Sequence, residues 1–198
     1  MIRNSAILIL KADLADLAAQ HTVIDPKIEL RWIEPNEQHL IIDNPYRPED
    51  RTGPRFLDRH YADDGKACAA FVAGDLVAWR LFKPRFQRTF YWLEVRGTQN
   101  AVFGMAAFTA PQARGQRLMA ILTAHAAREY LARGYTTLMA TVNCDNEPAI
   151  AAHTHIGMQK TDRIQATRWP TRFRTVRING KLTAGFFKRH RPMVHHAS

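Results

Sequence analysis

The sequence predicts an α/β protein, a single domain built on a mixed sheet with flanking helices. Three observations predict it. Residues 101–110 and 136–142 are β-rich runs separated by a helical run, 118–131. A strand–helix–strand unit of that kind implies a parallel pair joined by a crossover. Two hairpin signals, Ala73-Gly74-Asp75 and Asn179-Gly180, imply antiparallel strands as well. The 198 residues are 46% hydrophobic and 23% charged. That make-up belongs to a soluble globule whose core needs no disulfide or metal staple.

The elements follow in order. Ile7, Leu10, Leu14, Leu17 and Ala18 recur at helical spacing, so 6–19 is read as a helix. Residues 28–32 alternate like a half-buried strand. Residues 34–54 carry Pro35, Pro45, Pro48 and Pro54 and read as a loop with short elements at most. A helical turn or two is expected over 56–61. Strands are expected over 67–72 and 76–82, the second ended by Pro84, and then over 89–95 and 101–110. Gly134 sits where the 118–131 helix needs a left-handed cap. Asn146-Glu147-Pro148 starts a short helix that Gly157 ends. Strands over 160–169, 174–178 and 181–187 complete the chain.

Charge is the unusual quantity. The formal net charge is +10. Residues 159–198 hold ten Lys and Arg and one acid, Asp162, so nine of the ten excess charges lie there. The body is nearly neutral. A basic segment of this kind suits an acidic protein or an anionic surface, or it is a solvated tail. No nucleic-acid motif accompanies it, so nucleic acid is not the expected partner. Cys68 and Cys144 are far apart and form no zinc-type cluster, so no metal is expected. No apolar run reaches the ~18 residues of a membrane span, and the N-terminal run is too short for a signal peptide. The expected location is the cytoplasm.

Two segments resemble the GNAT (GCN5-related N-acetyltransferase) superfamily. Phe108-Thr109-Ala110-Pro111-Gln112-Ala113-Arg114-Gly115-Gln116-Arg117-Leu118-Met119 resembles its strand end, Pro and R-G-x-G-x-G/A loop opening a helix. Asn146-Glu147-Pro148-Ala149-Ile150-Ala151-Ala152-His153-Thr154-His155-Ile156-Gly157-Met158 resembles its N-x-x-A-I-x-L-Y-x-K-x-G-F stretch. The best match covers 67–169, with 170–198 a basic hairpin and tail. The resemblance implies a splayed pair of central parallel strands and transfer of an acetyl or other acyl group from acetyl-CoA, or another acyl-CoA, to a small-molecule amine by direct attack.

The resemblance also assigns residues. Arg114, Gly115, Gln116, Arg117, Leu118 and Met119 would cradle the pyrophosphate, and Asn146, which opens the second motif, would also belong to the cofactor-binding set. Backbone N–H groups of Phe108, Thr109 and Ala110 would polarise the thioester oxygen. The loop chemistry stands on its own, because a helix N-terminus offers open N–H groups and a positive dipole end. Arg117 and Met119 stand where the family has small residues. At Arg117 the expectation is helical φ/ψ with the side chain folded aside or paired with phosphate. Gly104 is the place for a bulge in 101–110, or that run is a plain core strand. His153 falls where many relatives have a Tyr that protonates the leaving thiolate; a structural His is the alternative. His155 is expected to be exposed. Glu94, an acid inside an aromatic run, is the candidate base, with His60 and Asp58 behind it.

Two alternatives differ in class. One takes its acyl chain from an acidic acyl carrier protein, as relatives making N-acyl amino acids or acyl-homoserine lactones do. The other is a non-catalytic module on an anionic surface, a peripheral membrane contact included. The Asn179-Gly180 hairpin is a place for strand pairing in a homodimer.

Overall fold

The computed structural model describes residues 3–20, 24–44, 52–89, 93–168, 173–187 and 193–195. In chain order these form β1 (Arg3–Asp13), α1 (Leu14–Ala18), β2 (Ile28–Ile33), a 3-10 turn (Pro35–Glu37), α2 (His39–Ile42), α3 (Pro54–Ala62), β3 (Lys66–Val72), β4 (Asp75–Pro84), β5 (Phe86–Thr89), β6 (Leu93–Arg96) and β7 (Ala101–Thr109). A second 3-10 turn (Pro111–Ala113), α4 (Leu118–Ala132), β8 (Thr137–Asn143), α5 (Glu147–His155), β9 (Gln159–Arg168), β10 (Phe173–Ile178), β11 (Lys181–Phe187) and β12 (Met193–His195) follow. The mixed α/β class is as expected. The chain forms two compact units, residues 1–12, 85–99 and 139–198 in one, and 13–84 and 100–138 in the other.

The second unit carries strands in the order β7-β4-β3-β2, all antiparallel. Its β3–β4 hairpin turns on Ala73 (φ 52°) and Gly74 (φ 88°), the paired positive φ of a tight hairpin turn. Trp79, Leu81, Ala67, Ala69 and Phe103 are buried in its core. Leu14 and Leu17 of α1 are buried too, and Arg128 of α4 donates to the Gln20 carbonyl at 2.6 Å. The α4 helix ends as expected, with Gly134 at φ 83°.

The first unit carries β11-β10-β9-β1-β8 and a small sheet, β12-β6-β5. Asn179 (φ 48°) and Gly180 (φ 82°) make the β10–β11 turn. Ile7, Ile9, Ile164, Ala166 and Val176 are buried there.

Two expectations need correction. Residues 6–13 belong to a strand, not a helix, and only Leu14–Ala18 is helical. A register shift between Ile9 and Leu10, opposite β9, turns both residues inward. That bulge mimics the i, i+3 spacing of a helix. Run 89–95 is likewise not one strand. Thr89 ends β5 and pairs with Leu93 of β6. Among the described residues no helix is long and apolar enough to cross a membrane, and no cluster of His, Cys, Asp or Glu could hold a metal.

Candidate functional site

The loop between β7 and α4 lies in the second unit. Pro111 blocks further strand pairing and starts the 3-10 turn. Arg114 is extended (φ −67°, ψ 155°), Gly115 has φ 82°, and Arg117 caps α4 at φ 56°, ψ 23°. Arg117 is therefore left-handed, not helical as expected. Glycine at this position serves the backbone conformation itself, and a non-glycine residue there costs about 1–2 kcal/mol. The Arg117 carbonyl accepts from Ala120 and Ile121 at 2.9 and 3.1 Å, so the helix starts cleanly behind it.

This geometry leaves donors open. Among the described residues no acceptor takes the N–H of residues 115–119. Arg114, Gly115, Gln116 and Arg117 are exposed, whereas Leu118 is buried and anchors the turn. Arg114 Nε leans on the Thr109 carbonyl at 3.5 Å. Consecutive open N–H groups, a helix dipole end and two guanidinium groups are donors of the kind that an anionic group such as a diphosphate accepts from.

The strand leading in changes character along its length. Ala101–Gly104 is buried, Met105 and Ala106 are half-buried, Ala107 is exposed, and Phe108 is buried again against Trp79. The register against β4 shifts between Arg80 and Phe82, opposite Gly104 to Ala107, so the irregularity falls where Gly104 pointed. One expectation fails here. The Ala110 N–H donates to the Val77 carbonyl at 2.8 Å and is not open to polarise a thioester.

Sequence reasoning missed Arg80. It lies in β4 with 1% of its surface exposed. Its guanidinium occupies the space where a Cβ on Gly104 would lie. Nη1 donates to Thr123 Oγ1, and Thr123 Oγ1 donates to the Met119 carbonyl at 2.6 Å. The available signal was an Arg inside the apolar run 76–82.

The remaining candidates divide between the units. In the first, Asn146 Oδ1 accepts from the Ala149 N–H at 3.2 Å and caps α5. His153 Nδ1 donates to the Ala149 carbonyl at 2.7 Å, which fixes that tautomer. His155 is exposed, as expected. Glu94 is not an isolated acid: its Oε1 accepts from Arg96 Nε at 2.7 Å. The aromatic residues 90–92 lie outside the described residues. In the second unit, Asp58 accepts from Gln38 at 2.8 Å. His60 is 3% exposed, its Nε2 donates to the Lys66 carbonyl, and burial pushes it down to about 4. It is neutral at pH 7 and committed to the core. Cys68 is buried, with its thiol pushed up by burial, while Cys144 is half-buried.

A family model described as "Acetyltransferase (GNAT) family" matches residues 30–158. No curated protein matches the sequence. Among solved structures, a GNAT-family protein from Novosphingobium aromaticivorans has TM-score 0.56 at 19% identity, over 83% of this chain and 64% of its own. A tandem GNAT protein from the clavulanic acid biosynthesis pathway has TM-score 0.57 at 17% identity, over 82% of this chain and 53% of its own. An aminoglycoside N-acetyltransferase in complex with CoA has TM-score 0.52 at 15% identity, over 70% and 93%. At these identities the likeness is one of fold. The chain spans only 51% to 64% of the length of the first four structures it matches.

Proposed function

The chain belongs to the GNAT acetyltransferase family, and from that premise we propose that it moves an acetyl or other acyl group from a CoA thioester to a small-molecule amine. The observation that carries this reading is the open N–H array of residues 115–119 at the start of α4, flanked by Arg114 and Arg117. Among the described residues the array has no acceptor, and it sits at the positive dipole end, as a diphosphate requires. The half-buried to exposed stretch Met105–Ala107 of β7 offers backbone for the arm of the donor. When bound, the donor supplies an activated acyl carbonyl for the amine to attack.

Two proton tasks remain. The acid role of His153 comes from the resemblance alone; with Nδ1–H held on the Ala149 carbonyl, Nε2 is the ring nitrogen left to carry a transferable proton. Glu94 or a water chain takes the proton from the attacking amine. Thiol release from acetyl-CoA over a panel of small amines tests the reading. Amine-dependent release supports it, and no release with any acyl-CoA in a protein that binds CoA contradicts it.

The exposed basic side chains Lys160, Arg163, Arg168, Arg177 and Lys181 favour a second donor. Leu182, 60% exposed, pairs across the strands with Arg177 in their midst. That surface suits an acidic acyl carrier protein. Acylation from a carrier protein that falls steeply with salt favours this reading, and CoA-only use excludes it.

A further inference from the structure

We propose that Arg80 is a positioning residue for the donor site, tying the sheet to the first turn of α4 and so fixing the N–H array that receives the diphosphate. The inference rests on the donor reading above. The connection is directional. Thr123 has one hydroxyl proton. It spends that proton on the Met119 carbonyl, and its oxygen accepts from Arg80 Nη1. Met119 is the second residue of α4 and the last member of the open array.

The same residue also borders the other half of the donor surface. Arg80 pairs with Ala107 across the β4–β7 ladder, and Ala107 is the exposed residue of β7. Gly104 lacks the side chain that would displace the guanidinium, and the register shift lies between these two contacts. One planar, multi-donor group therefore meets both the irregular strand and the helix start.

Burial pushes the guanidinium down to about 10, so it stays charged at neutral pH. Holding a cation at 1% exposure is costly, and an apolar side chain of similar volume often packs there without loss of stability. Stability alone therefore does not explain Arg80. Its partners, a hydroxyl on the loop-bearing helix and a side-chain-free site in β7, do.

The test is calorimetric titration with CoA of Arg80→Met, Arg80→Lys and Thr123→Val, with urea unfolding of the same preparations. The expected result is about tenfold weaker CoA binding for Arg80→Met and about threefold for the other two, in proteins that unfold cooperatively. Donor KM rises accordingly, while kcat at saturating donor holds. Wild-type CoA affinity in folded Arg80→Lys and Thr123→Val overturns the assignment and leaves Arg80 a core residue only. These two variants decide the matter should Arg80→Met not fold. Absence of CoA binding in the wild type would instead overturn the donor reading.

Discussion

The guanidinium of Arg80 fills the space in which a side chain on Gly104 would lie. In an ordinary strand Gly→Ala is stabilising by roughly 0.5–1 kcal/mol, because glycine loses more backbone entropy on folding. Here the sign reverses. Arg80 is held by Thr123 and lies over the Phe82 ring at 5.4 Å, so it cannot step aside freely. Gly104→Ala is expected to destabilise by about 1–3 kcal/mol, as overpacking does. Urea unfolding checks it, and a stabilised variant contradicts the packing described.

Arg117 gives the opposite prediction. Its φ of 56° is strained for any side chain with a Cβ. Arg117→Gly removes that strain and returns part of the gain as unfolded-chain entropy. The expected outcome is a net stabilisation of up to about 1 kcal/mol. A clear loss of stability would show that the Arg117 side chain contributes more to the fold than its exposure suggests.

His60 makes stability depend on pH. Burial holds it neutral, with a folded value of about 4 against an ordinary 6.5. Between those values the unfolded chain binds the extra proton. Stability is therefore complete above about pH 6.5 and is lost as pH falls toward 4. The drop is on the order of 3 kcal/mol. Unfolding free energies at pH 7.5 and 4.5 should converge in His60→Gln by roughly that amount. An unchanged pH slope in this variant contradicts the assignment.

His153→Phe is expected to lower kcat by about tenfold to a hundredfold at near-constant donor KM. Equal rates would remove His153 from the chemistry.

Much of the fold was legible because turns and caps have local causes. Ala73-Gly74 and Asn179-Gly180 both adopt the paired positive φ that their composition suggests, and Asn146 caps α5 with its own side chain. The N-terminal strand was not legible. Its bulge at Ile9 and Leu10 buries adjacent residues, and that pattern matches a helix better than a strand. Arg80 escaped for a related reason. Period-two reading sends an Arg in a strand to solvent, but Trp79, Arg80 and Leu81 are all buried. The loop motif was visible as residues, while the left-handed turn at Arg117 was not, since it follows from the backbone that α4 requires.

Hydrogen exchange of the backbone amides at 115–119, with and without CoA, tests the central claim most directly. These N–H groups have no internal acceptor among the described residues, so they should exchange fast alone. CoA is predicted to slow them selectively, with little change over β9 to β11. CoA binding that leaves these amides exchanging as before would contradict the assignment of the loop as the donor's diphosphate site.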